Sequence, residues 1–296
     1  MATMHKYLRS IGLSGLQGRA AIDKLLKYCA NNADKKEYFK NKDGEMIAHF
    51  SKELAPGMGL TICGEFYENN RFQYEYYFPY IKGLGTSSNE KITAERHSSE
   101  ESYAGICDDP RLGITMIFYL QNMIPYLKHS DKDDNDASGS GVTLSALSEK
   151  GSVLFPIAKT PVQSRQMKRR ARQRTRLISS ARNGDENAIE SLTMDDMEIY
   201  SAVSSRLPRE DILTLVDSYF MPTGVECDQY AVLGEITDFH LQINNYTKEP
   251  VYILSVICNG MEFEIGIAKK DLLGEPAIGR RFKGKVWLQG SIDYTD

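Results

Sequence analysis

Three observations predict an α+β fold: a mixed N-terminal segment, a helical middle and a small C-terminal β-barrel of the OB or SH3 type. The first is the run Phe72, Tyr74, Tyr76, Phe78 and Tyr80, which places aromatics at period two on one strand face. The second is a block from Gln163 to Phe220 with helical spacing, basic at first and then acidic. The third is a series of short alternating segments from Gly224 to the end, punctuated by Asn259-Gly260, a strong hairpin signal. Four or five strands of that kind suit a small barrel. The segments divide as 1–160, 161–222 and 223–296.

Totals agree with a globular chain. Of 296 residues, 41% are hydrophobic and 26% charged, enough apolar material for a core. The net charge is −4, so no whole-chain basic excess marks a nucleic-acid binder, and any such signal must be local. The five cysteines are odd in number and widely spaced, with no CxxC pair. That pattern fits free thiols in a reducing cytoplasm. No apolar stretch reaches the roughly 20 residues that a membrane span requires, and no membrane contact is expected.

In the first segment, Ser14 to Ala30 carries Leu16, Ala20, Leu25, Leu26 and Cys29 at helical spacing, with Ser14 as its cap. Met58–Tyr67 and Arg71–Tyr80 read as a hairpin turning at Glu68-Asn69-Asn70. Gln73, Glu75 and Tyr77 take the face opposite the aromatic run. Pro79 marks an edge strand or a strand end. The uncharged stretch 112–127 reads as a buried strand running into a short helix. The acidic loop 129–141 follows it. Val142 to Ile157 reads as a second hairpin, turning at Glu149-Lys150-Gly151.

The middle segment opens with eight cations and no acid: Arg165, Lys168, Arg169, Arg170, Arg172, Arg174, Arg176 and Arg182. Met167, Ala171, Ile178 and Ala181 supply a thin apolar stripe, and Gly184 ends the helix. An acidic helix starts at Asp185-Glu186, with Ile189 and Leu192 inward. A third helix spans Met194 to Leu207 and a fourth lies between Pro208 and Phe220. In the last segment Ala231–Ile243 is one long, bent strand. Val251–Cys258 is apolar on both faces as a central strand is, and Arg281–Tyr294 closes the fold.

The phrases MHKYLRSIGL at 4–13, EYYFPY at 75–80, ESYAGICDD at 101–109, GVECDQYAVLGEI at 224–236 and GEPAIGRRFKGKVWLQG at 274–290 are distinctive. Together they resemble an uncharacterised bacterial family known only as a domain of unknown function. The resemblance implies a bacterial, cytoplasmic protein. It carries over no catalytic residue, because the family has no assigned activity.

Two function classes follow from the residues. One is a non-catalytic binding or regulatory protein that contacts an acidic partner, either nucleic acid or an acidic protein surface. Its candidate residues are Arg281, Lys283, Lys285 and Trp287 on the closing strand, and Lys168, Arg169, Arg172 and Arg176 on the basic helix. Cations beside an indole can hold phosphates and stack a base; the same strand pattern also serves as a solvated face. Pairing of the basic helix with the acidic helix is the competing use of those charges. The other class is an enzyme with a site near His97 and Cys107. The carboxylates around Cys107 disfavour its thiolate, and the spacing matches no Cys-His motif. No catalytic set, metal site or cofactor is expected. Gly274-Glu275-Pro276-Ala277-Ile278-Gly279 has the glycines of a P-loop without its Lys and Ser/Thr.

Overall fold

The computed structural model describes residues 5–42, 44–67, 71–96, 102–131, 141–158, 160–206, 209–225 and 227–294. The chain opens with a 3-10 turn, Lys6–Ile11, followed by helix α1, Arg19–Asn31. Strands β1 (Lys35–Lys40), β2 (Met46–Ala55), β3 (Met58–Phe66) and β4 (Phe72–Ile81) form a four-stranded antiparallel meander, with β4 at its edge. Pro79 sits on that edge strand, where a missing N–H is tolerated. The expected Ser14 cap is not made: α1 starts at Arg19 after Gly18, and Ser14 instead donates to the Glu249 carboxylate.

Strands β5 (Ile92–Arg96), β6 (Tyr103–Cys107) and β7 (Met116–Leu120) come next, then helix α2 (Met123–Ser130) and the 14-residue strand β8 (Gly141–Leu154). The stretch 112–127 is thus a strand running into a short helix, as its sequence indicates. The expected hairpin at 149–151 is overturned. β8 continues through it, paired with the closing strand on both sides of a bulge at Glu149 and Lys150. Gly151 is small for packing, not for turning: a Cβ there would lie 2.4 Å from the Phe282 ring.

Helices α3 (Pro161–Arg182) and α4 (Glu186–Arg206) follow, then the short α5 (Ile212–Leu215) and strand β9 (Tyr219–Pro222). Two expected helices, the acidic one and Met194–Leu207, are one continuous helix, α4. The last region holds β10 (Gln229–Ile243), β11 (Pro250–Cys258), β12 (Met261–Ala268), the two-residue β13 (Leu272–Leu273) and β14 (Arg281–Asp293). β10 bends at a bulge between Ile236 and Asp238. Asn259 and Gly260, with φ of 50° and 82°, make the tight turn between β11 and β12.

β8, β12, β11, β10 and β14 pair in that order, and β14 pairs back to β8, which closes a five-stranded barrel. One stave therefore comes from residues 141–154, before the helical segment, so the helices α3 and α4 are inserted between two barrel strands. β14 also extends the sheet to β7, β6 and β5. The barrel interior is filled by Phe118, Leu144, Tyr230, Leu254, Phe263, Ile265 and Phe282, among others. A second core joins the N-terminal sheet and turn to the barrel's outer surface through Tyr7, Ile11, Phe78, Leu147, Val251, Ile253 and Trp287. This second core covers part of the barrel's outer wall, along β8, β11 and β14.

A β-bulge divides the aromatic run of β4. Tyr76 pairs with Cys63, but Tyr74 pairs with Gly64, and adjacent β3 residues face opposite sides. Tyr76 and Phe78 turn towards Met123 and Tyr119. Phe72 turns to Phe50 and Phe66 on the other side. The single aromatic face expected from strict period two is two half-faces, both packed.

Candidate interaction surface

The basic helix α3 is built to be a helix. Thr160 and Gln163 form a reciprocal capping box, and Pro161 fills a first-turn position that has no hydrogen-bond duty. Gly184, at φ 86°, turns the chain into α4. The turn end is fastened to the body. Arg182 donates to the Asp108 carbonyl, Ala188 is buried, and Ile178 packs near Gly113. Beyond that end the two helices are largely exposed.

Among the described residues, the expected mutual neutralisation of the two helices occurs at one position: Arg174 Nη2 lies 2.8 Å from an Asp196 carboxylate oxygen. Arg165, Arg169, Arg172 and Arg176 are all exposed, and none forms an ion pair with a described residue. Their spacings of four, three and four put them on one helical face. Lys168 lies in the same helix, with its side chain outside the described set. α3 thus displays an arginine stripe that no described residue of its neighbour neutralises.

The closing strand behaves differently. Trp287 is 5% exposed, and its ring contacts Tyr7 at 5.3 Å, Tyr119 at 5.0 Å and His5 at 4.8 Å between centroids. Its indole N–H donates to Asp228. No ring face is left for a base, so the expected stacking role of Trp287 is corrected to a core role. Arg281 is 7% exposed and donates to the carbonyls of Phe155 and Val216. Its guanidinium ties the helical insertion to the barrel, and its expected phosphate contact is corrected accordingly. Lys283 is half-buried and Lys285 is exposed. β14 keeps its alternation, with Phe282, Val286 and Leu288 inward; the bulge lies in β8, where Glu149 and Lys150 stand opposite Lys285, and the outward row is shortened as a contact because Arg281 and Trp287 are buried.

For the enzyme alternative, His97 lies outside the described residues. Cys107 is buried, and burial pushes its thiol up to about 11, with a hydrogen bond to Ser88 pulling the other way and Asp109 pushing it further up. The surrounding polar groups form a structural clamp. Asp109 accepts from Ser88 and from the Arg111 guanidinium, which also reaches the carbonyls of Ser87 and Gly260. Burial alone would raise the Asp109 carboxyl; these hydrogen bonds outweigh that and hold it below its ordinary value. Among the described residues no group of three or more His, Cys, Asp or Glu is arranged to hold a metal ion. No helix among them is long and apolar enough to cross a membrane.

The matched stretch in comparisons with known proteins is nearly the whole chain: residues 8–290 fit the family described as "Domain of unknown function, E. rectale Gene description (DUF3881)". The chain belongs to this family. The DUF3881 match spans the barrel, the N-terminal sheet and the α3–α4 insertion alike. No curated protein and no solved structure matches the chain.

Proposed function

We propose that this chain is a non-catalytic, cytoplasmic binding protein that engages an acidic partner, nucleic acid or protein, through the arginine stripe of α3. The observation that carries this is the exposure of Arg165, Arg169, Arg172 and Arg176 on one face, unpaired with any described residue. Four guanidiniums on one helix lose little by staying solvated. They become a contact when a partner supplies carboxylates or phosphates in their geometry. Five free thiols, four of them buried, support a reducing compartment.

The barrel is read as OB-type. Taken from β10, its strands run β10–β11–β12 as a meander, β14 returns beside β10, and β8 closes the ring between β14 and β12. The β12–β8 pairing is the one parallel contact in that ring. That is the OB ring order with its last strand moved to the front of the chain. OB barrels bind oligomers over their second and third strands and the loop joining the first two. Here that loop, residues 244–249, is fastened to the N-terminal segment by Asn244 to the Ile11 carbonyl, Thr247 to the Gly12 carbonyl, and Glu249 to Ser14. The contact is therefore assigned to α3 and not to the barrel face.

The test is a fluorescence-anisotropy titration of labelled RNA and DNA, single- and double-stranded, at two salt concentrations. Four phosphate contacts give a log–log salt slope of about −3 to −4. Replacing the four arginines by Ala is expected to abolish that binding, whereas Lys283→Ala with Lys285→Ala leaves most of it. If no nucleic acid binds, capture of acidic protein partners with and without the four arginines is the remaining test.

A further inference from the structure

The acidic helix carries an exposed face of its own, which meets the same copy's α3 at the Arg174–Asp196 pair. Along α4, Met194, Met197 and Tyr200 are exposed, Met197 at 68% and Tyr200 at 76%. Thr193, Asp196, Met197, Tyr200 and Ser201 line an open groove of about 520 Å³. Glu190 and Glu198 lie one turn before and one turn after Met194, both exposed. An occupant of this groove has to bring apolar surface along its axis and cations at its flanks.

We infer that the occupant is α3 of a second copy of this chain, in a symmetric pair in which each arginine stripe lies along the other copy's α4. This inference rests on the reading of α3 above and names its acidic partner. Val162 extends the stripe by one turn, so that residues 162, 165, 169, 172 and 176 recur at spacings of three and four. Arginine stems cover apolar surface while their heads reach outward to carboxylates. The ring face of Tyr200 suits guanidinium stacking. α3 has eight cations and no acid, whereas α4 has five acids and one cation, so each helix has the charge the other's free face lacks. Within one copy, among the described residues, only Arg174 and Asp196 use this complementarity. A two-fold pairing uses the rest twice and is closed, because the same patch serves both copies. Nucleic acid on α3 would satisfy the arginines and leave the methionines and Tyr200 in water, which is why the second copy is favoured.

The test is sedimentation equilibrium on the full chain, without nucleic acid, at low and at high salt. The wild type is expected to be a dimer whose dissociation constant rises at least tenfold between the two. Arg169→Glu with Arg172→Glu is expected to give monomers, and so is Glu190→Lys with Glu198→Lys. All four positions are exposed, and circular dichroism checks that each variant is folded. Mixing the two variants restores both contacts in a heterodimer, an outcome that misfolding cannot produce. A wild-type monomer at tens of micromolar in low salt overturns the inference. So does a dimer unaffected by either pair of substitutions. If the monomer nevertheless binds RNA or DNA through the arginines, the inference fails while the proposed function stands. If neither association depends on the arginines, both fail.

Discussion

The Trp287 indole N–H donates to an Asp228 carboxylate oxygen at 2.5 Å, so the chain's single tryptophan is a strut between β14 and the segment entering β10. Its rings pack on Tyr7 and Tyr119, joining the N-terminal turn, β7 and the barrel. Trp287→Phe keeps an aromatic ring there and removes the donor. A lost hydrogen bond to a charged group costs about 1.5–3 kcal/mol, measurable by urea unfolding. Emission from the wild-type indole is expected to be blue-shifted and unchanged when an acidic partner binds.

His49 is 3% exposed on β2, and among the described residues no hydrogen-bond partner meets its Nε2. Burial, helped by nearby Lys35, lowers its pKa to about 4. The unfolded imidazole takes up its proton near the ordinary 6.5, so the unfolded state binds more protons between those values. The neutral side chain therefore stabilises fully above pH 6.5, and stability falls as pH drops towards 4, by about 3 kcal/mol at most. Urea midpoints of wild type and His49→Leu across this range check it. The variant is expected to lose the His49 share of the slope, leaving that of His5, which burial also lowers to about 4.

Gly105 on β6 faces Phe118 on β7 in register, and a Cβ at Gly105 would lie 2.1 Å from the ring. Gly105→Ala is expected to cost about 1–3 kcal/mol through overpacking. Combining it with Phe118→Leu, which vacates that space, is expected to cost less than the sum of the two single changes. Additive costs in a double-mutant cycle would show that the ring does not confine Gly105.

Thiol reactivity separates the binding and enzyme readings. Cys29, Cys63, Cys107 and Cys258 are buried, and Cys227 is half-buried. Native protein with iodoacetamide at mildly alkaline pH is expected to label Cys227 first and Cys107 only on unfolding, as read by peptide mass. Rapid labelling of Cys107 would indicate an activated thiolate and revive the enzyme reading.

Local signals and long-range signals differed in legibility. The turn at Asn259-Gly260, the strand-to-helix stretch 112–127 and the basic helix ending at Gly184 follow from short-range chemistry, and the structure has them where the sequence puts them. The continuation of β8 through Glu149-Lys150-Gly151 was not legible, because Gly151 answers to Phe282, more than a hundred residues away. Period two along β4 indicated one aromatic face; the bulge opposite Cys63 and Gly64 is set by pairing and leaves no mark on the alternation. At the candidate site, Arg169, Arg172 and Arg176 stand in the open as their charge suggests, joined by Arg165. Arg281 and Trp287 look identical to surface residues in sequence. Their burial comes from Val216, Phe155, Tyr7 and Asp228, which only the closed barrel brings near.

The most direct measurement is sedimentation velocity of the full chain with labelled single-stranded RNA present, at about 50 and 200 mM salt, comparing wild type with the variant in which Arg165, Arg169, Arg172 and Arg176 are Ala. It reports RNA binding and self-association in one experiment. The account predicts a salt-sensitive complex, with RNA or with a second copy, that the four substitutions abolish while the folded monomer remains. Wild type and variant that sediment alike at both salts would contradict it.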